Sequence, residues 1–150
     1  MRKDMGIPSR LERTVSSIRK FAERDPRIVA VYVFGSRVES TATEESDLDL
    51  GVLFTSAPSL KDRVRLQAGL SEASGEAVDL VDLGSCNAFL ALAAIRGERL
   101  YCSNPDLGDE FELYVLRRAA DLEPFERERR RLLLLPEAGG SNASAGAHDS

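Results

Sequence analysis

Ile28-Val29-Ala30-Val31-Tyr32-Val33-Phe34-Gly35-Ser36, followed after ten residues by Asp47-Leu48-Asp49-Leu50-Gly51-Val52-Leu53-Phe54, decides the fold of this chain. The first seven residues are apolar at every position and rich in β-branched and aromatic types. That is the composition of a central strand buried on both faces. The second segment alternates instead. Leu48, Leu50, Val52 and Phe54 fall on one face, and Asp47, Asp49, Gly51 and Leu53 on the other. Both aspartates therefore sit at one end of one face of a strand that shortly follows a glycine turn.

Each half of this pattern has a chemistry. Gly35-Ser36 stands where the first strand must turn; glycine lets backbone come close to a ligand, and N–H groups beyond such a turn can receive phosphate oxygens. Ser36 adds a hydroxyl donor, and Arg37 is a candidate phosphate contact. Asp47 and Asp49 are two apart, roughly 6.6 Å at Cα on an extended strand, with side chains on the same face. Two carboxylates held so close repel each other unless a cation lies between them or one is protonated. Their hard oxygens suit Mg²⁺, and a two-metal site places its ions about 3.5–4 Å apart. Alone, a Gly-Ser turn or an acidic strand end says little. Together, at this spacing, they arise by chance in a chain of this length on the order of once in a thousand.

Outward from this core the elements are well punctuated. Upstream, Ser9 and Glu12 have the spacing of a capping box, and Leu11, Val15, Ile18 and Ala22 recur at helical spacing until Asp25-Pro26. Downstream, a helix from Ser59, with Asp62 completing its cap, is expected to turn Leu60, Val64 and Leu70 inward and to stop at Gly75. Ala77 to Leu83 reads as a third strand with Asp79 and Asp82 on opposite faces. Ser85 is expected to cap a short helix through Phe89, Leu92 and Ile95, ended by Gly97, and Arg99 to Cys102 a short edge strand. Asn104-Pro105 has the chemistry of a helix start, with Phe111, Tyr114, Val115, Ala119 and Leu122 on its apolar side. Pro124 should kink or interrupt that helix, and the charged run Glu126 to Arg131 reads as a solvated face. The expected organisation is one domain over residues 1–135, with a small, polar, glycine-rich and disordered tail over 136–150.

Composition removes several function classes. The chain has 150 residues, 43% of them hydrophobic and 30% charged, with a net charge of −5. That balance argues against an extended nucleic-acid-binding surface. No apolar run approaches the roughly 20 residues needed to cross a bilayer, and the N-terminus leads into no signal core, so a cytoplasmic location is expected. Cys86 and Cys102 have neither zinc-ligand nor redox-motif spacing and read as buried free thiols. The one histidine, His148, lies in the tail, which leaves histidine acid–base chemistry out of account.

The string FGSRVESTATEESDLDLGVLF, residues 34–54, resembles the minimal nucleotidyltransferase (MNT) family of the DNA polymerase β-like superfamily. That family's hallmark is Gly-Ser, ten residues, then Asp-x-Asp, with a serine before the acids as at Ser46. AVDLVDL at 77–83 is similar to its third catalytic strand, and the order of elements agrees from about residue 9 to 125. Family members often carry glycine near position 40, where this chain has Ser40. The resemblance implies an α/β (α+β) fold, a small mixed β-sheet with flanking helices. It implies that Asp47 and Asp49 hold two Mg²⁺ ions on the triphosphate of ATP, and that Gly35 and Ser36 seat its β- and γ-phosphates. A third carboxylate, Asp79 in preference to Asp82, completes the set and helps deprotonate the attacking hydroxyl. A stand-alone domain of this size resembles the antitoxin of a two-gene toxin–antitoxin system, which transfers AMP from ATP to a tyrosine of a HEPN-family ribonuclease toxin. Two other readings are a non-catalytic antitoxin that masks its toxin by binding, and a small-molecule nucleotidyltransferase of the aminoglycoside type. The oligomeric state, homo- or hetero-, is left open by the sequence.

Overall fold

A computed structural model describes residues 9–35 and 47–134. Its elements, in chain order, are α1 (Ser9–Glu23), β1 (Ile28–Phe34), β2 (Leu48–Phe54), α2 (Leu60–Ser74), β3 (Val78–Asp82), α3 (Ala88–Ile95), β4 (Glu98–Cys102) and α4 (Pro105–Leu134). The four strands form one mixed sheet in the order β3-β2-β1-β4. β1 pairs antiparallel with β2 and with β4, whereas β2 and β3 run parallel with α2 as the crossover. All seven residues of β1 are buried, as its uniformly apolar sequence requires of a strand covered on both faces.

Each face of the sheet has its own helix pair. On one face Val15, Ile18 and Ala22 of α1 and Leu66 and Leu70 of α2 close over Val31, Val33, Leu48, Leu50, Val52 and Leu80. On the other, Ala91, Ala94 and Ile95 of α3 and Val115 of α4 close over Ala30, Tyr32 and Phe34. Gly51 permits the close approach of α3, because a Cβ there would stand 2.9 Å from Leu83 Cδ2 and 3.2 Å from Ala94 Cβ. The second face also holds a polar cluster. The Tyr32 hydroxyl donates to Glu112 at 2.5 Å, and Arg99 donates to Glu112 and Asp109, both at 3.1 Å. Burial and the Glu112 carboxylate raise the Tyr32 phenol well above its ordinary range.

Four expectations about the helices need correction. In α2 the inward stripe is Leu66 and Leu70, while Leu60 and Val64 are 74% and 60% exposed. The helix has two apolar pairs at i, i+4 on opposing sides, and the sheet takes the second. The cap of α3 is Asn87, whose side chain accepts from Leu90 N at 2.8 Å; Ser85 lies in the preceding turn. Ala88, Ala91, Ala94 and Ile95 form the buried face of α3, with Leu92 packed partly against it. Finally, of the kink or interruption expected at Pro124, the interruption does not occur: α4 continues to Leu134. Proline removes one donor there, on a stretch surrounded by water, which can solvate the carbonyl left unpaired.

Other local signals are realised in the structure. Ser59 caps α2 by accepting from Asp62 N, and Gly75 closes it with φ 75°. Pro105 opens α4, and Asn104 accepts from Leu107 N at 3.2 Å. The arginines and Glu128 of the run 123–131 are exposed, Glu123 and Glu126 are partly covered, and ion pairs join Glu123, Glu126 and Glu128 to arginines three or four residues on. Cys86 and Cys102 are free and half-buried. Among the described residues no helix is long and apolar enough to cross a membrane. The side chain of Ser9 in the expected capping box, and the tail at 136–150, lie outside the described residues.

Candidate functional site

The parallel pairing of β2 with β3 sets the register that matters, placing Asp49 directly beside Asp79. Register partners in neighbouring strands point to the same face, so the two carboxylates stand together on the face that carries α3 and α4. Asp47, exposed, immediately precedes β2 at the same end of the sheet. From the other side, β1 pairs Phe34 with Asp49 and delivers Gly35 to that spot. Gly35 has φ 90°, and a Cβ on it would overlap Asp49 Oδ2. The glycine therefore does two things: it makes a turn that L side chains rarely adopt, and it leaves the room that the Asp49 carboxylate occupies.

The electrostatics of this corner are unbalanced. Partial burial raises the Asp49 carboxyl above its ordinary range, and the charges of Asp79 and then Asp47 push it further in the same direction. Among the described residues none of the three acids accepts a hydrogen bond from the protein. Three acceptor-only groups with no donor between them call for a cation. Among the described residues no group of three or more His, Cys, Asp or Glu side chains forms a metal cage by itself. This agrees with the chemistry of Mg²⁺, which usually takes one or two carboxylates and completes its shell with water and substrate phosphates. The donor set fits an ion that arrives with a polyphosphate.

Asp82, the other acid of β3, has a different place. It is buried, its Oδ1 accepts from Gly84 N at 3.1 Å, and its Oδ2 accepts from Ser85 Oγ at 3.1 Å. Its lone pairs are spent on the turn into α3, away from the Asp49 corner. Ser36 and Arg37 lie outside the described residues. The clearance role of Gly35 was missed by sequence reasoning, since nothing in the chain order says that Asp49 will face that turn.

Comparison with known proteins gives the same outline. Residues 16–106 match the family described as polymerase beta, nucleotidyltransferase, a span that includes the three acids and Gly35. Protein adenylyltransferase MntA of Shewanella oneidensis is 26% identical over 132 residues, covering 87% of this chain and 90% of the relative. A crystal structure of a toxin–antitoxin with AMP-PNP contains a chain of the same fold, 24% identical with a TM-score of 0.71, over 81% of this chain and 98% of that one. A tri-AMPylated Shewanella oneidensis HEPN toxin in complex with an MNT antitoxin gives a TM-score of 0.67 at 22% identity, over 81% and 97% of the two chains.

Proposed function

Since the chain belongs to the polymerase β-type nucleotidyltransferase family, we propose that it is a protein adenylyltransferase, an antitoxin that moves AMP from ATP onto a tyrosine of a HEPN-family toxin. The observation that carries this reading is the unpaired carboxylate cluster of Asp47, Asp49 and Asp79 against the Gly35 turn. Support for the acceptor comes from the relative MntA, named a protein adenylyltransferase, and from the tri-AMPylated HEPN toxin held by an MNT antitoxin of the same fold.

In this reading Asp47, Asp49 and Asp79 hold Mg²⁺, two ions in all, while Gly35, Ser36 and Arg37 seat the phosphates of ATP. When bound, such ions neutralise charge on the triphosphate and on the departing pyrophosphate. The chain's own residues do the rest. By fixing where the ions would sit, the three acids would set the place of the triphosphate relative to the incoming hydroxyl, which converts an encounter into a positioned reaction. Asp79, the most exposed of the strand acids, takes the phenolic proton as the tyrosine oxygen bonds to the α-phosphorus. The bond from that phosphorus to the bridging oxygen breaks, and pyrophosphate leaves with its electron pair.

The test is direct. The protein is incubated with α-labelled ATP, Mg²⁺ and the product of the neighbouring gene, and label on the partner's tyrosine is followed by gel and mass spectrometry. Wild type should label the partner, and Asp47→Ala should reduce labelling by at least about 100-fold. No label from wild type, with Asp47→Ala indistinguishable from it, would overturn the proposal.

A further inference from the structure

Helix α4 is longer than the body it packs on. Its buried residues are Gly108, Val115 and Ala119, and none of the described residues beyond Ala119 is buried. At 1.5 Å per residue the half beyond Ala119 projects by roughly 20 Å. It is not purely polar: Phe125 is 73% exposed, and Leu132, Leu133 and Leu134 are exposed with it.

One row of α4 repeats at alternating steps of four and three residues. It consists of Leu107, Phe111, Tyr114, Arg118, Asp121, Phe125, Glu128 and Leu132. This is the spacing of a coiled-coil seam. Read backwards, the row complements itself at three of its four pairings. Antiparallel alignment about its centre sets Leu107 opposite Leu132, Tyr114 opposite Phe125, and Arg118 opposite Asp121; the fourth pairing sets Phe111, packed partly against its own core, opposite Glu128. Each of those pairings occurs twice under the two-fold axis. The flanks agree with the seam, since the same alignment brings Glu110 towards Arg131. The whole helix has this polarity. Its first twelve residues carry Asp106, Asp109, Glu110 and Glu112 with no basic residue, and its six arginines all follow from Arg117 onward. Among the described residues, neither Arg118 nor Asp121 is ion-paired within its own chain.

The body supplies a receptor for the projecting half. A groove of about 670 Å³ runs beside the first half of α4, with Leu107, Phe111 and Tyr114 on one wall and Val29, Leu53 and Phe54 on the other. An apolar ridge suits a groove lined mainly by apolar side chains, with Glu110 and Arg117 as its charged residues. The tail after α4 offers no such ridge, being small and polar with no aromatic residue. We propose that the occupant is a second copy of this chain, the two α4 helices pairing antiparallel so that each projecting half lies in the other's groove. The pairing leaves the corner of Asp49 and Asp79 open on each copy, because that corner lies at the opposite end of β2 from Phe54.

Sedimentation equilibrium on the full-length protein tests the pairing. Wild type should be a concentration-dependent dimer. Arg118→Asp and Asp121→Arg each set like charges opposite each other at both central positions, and should raise the dimer dissociation constant on the order of 100-fold. Mixed in equal amounts, the two variants restore both opposite-charge pairs and should form a heterodimer near wild-type affinity. The double variant carrying both changes should also recover. All the altered positions are exposed, and circular dichroism verifies that the variants fold. A wild type that stays monomeric at every concentration overturns the proposal. So does failure of the mixture to associate, or a Phe125→Glu variant that loses only binding to a HEPN protein. None of these readings depends on whether the chain transfers AMP.

Discussion

The two ends of β3 hold the same functional group in opposite conditions. At one end Asp79 is exposed beside Asp49, accepts no hydrogen bond among the described residues, and faces like charge. Three residues on, Asp82 is buried and accepts from Gly84 N and Ser85 Oγ. A buried acid whose two oxygens each accept a hydrogen bond from the fold is part of the architecture. An acid set among other acids, with no donor among the described residues, has a partner still to come. The difference separates a residue that holds the protein together from residues arranged to hold something else, although the two aspartates look equivalent in the string AVDLVDL.

Exchanging the two tests that separation most severely. Asp79→Asn should lower AMP transfer by about 10²–10⁴-fold, the usual contribution of a positioned base, with little change in melting temperature. Asp82→Ala should do the reverse. It leaves the Gly84 N–H and the Ser85 hydroxyl without their acceptor, at about 1–3 kcal/mol of stability, while transfer per folded molecule stays close to wild type. Labelling assays and urea denaturation on both variants read the two effects separately. If Asp82→Ala lost transfer and Asp79→Asn did not, the roles assigned to the two ends of the strand would have to be exchanged.

Gly35→Ala stands between these cases, because it touches architecture and site at once. The positive φ costs a side chain on the order of 1–2 kcal/mol, and the new methyl would displace the Asp49 carboxyl from the space it occupies. Both stability and transfer should fall. Supplying more Mg²⁺ should recover part of the transfer if the displaced carboxylate still reaches an ion, and none of the stability lost to backbone strain.

Much of this was legible in the chain. The uniformly apolar run of β1 and the alternation of β2 follow from local rules, and so do the caps at Ser59, Gly75 and Asn104. What local rules could not decide was which of two competing patterns tertiary packing would use. Helix α2 offers Leu60 with Val64 and Leu66 with Leu70, and only contact with the sheet selects the latter. Pro124 sits where water can satisfy what it leaves unpaired, so a strong local breaker does not break the helix. At the site, the residue types were readable, and so was the pairing of Asp47 with Asp49 on one strand. The neighbourhood of Asp49 with Asp79 was not, since it depends on the register of a parallel pair joined through a whole helix. Ser36 and Arg37 lie outside the described residues, so the phosphate-seating half of the site rests on sequence.

The smallest effect is the most specific to the cluster. Asp49 has a folded pKa raised by burial and by Asp79 and Asp47. A raised carboxylate works against the fold once it ionises: the folded state binds its proton more tightly than the unfolded chain does. Stability should therefore be greater below the raised value and decline as pH climbs through it. Asp49→Asn removes the charge and keeps the shape, so at neutral pH the variant without metal should be more stable than wild type. The gain should be a few tenths to about 1 kcal/mol, since like-charge contacts at partly exposed groups are screened. Its stability should also vary less with pH across that window. Adding Mg²⁺ with ATP should raise the melting temperature of wild type, as any ligand of the native state does, and raise that of the variant much less. A variant no more stable than wild type in metal-free buffer would mean that the three carboxylates do not strain the fold, and the case for a cation between them would lose its electrostatic basis.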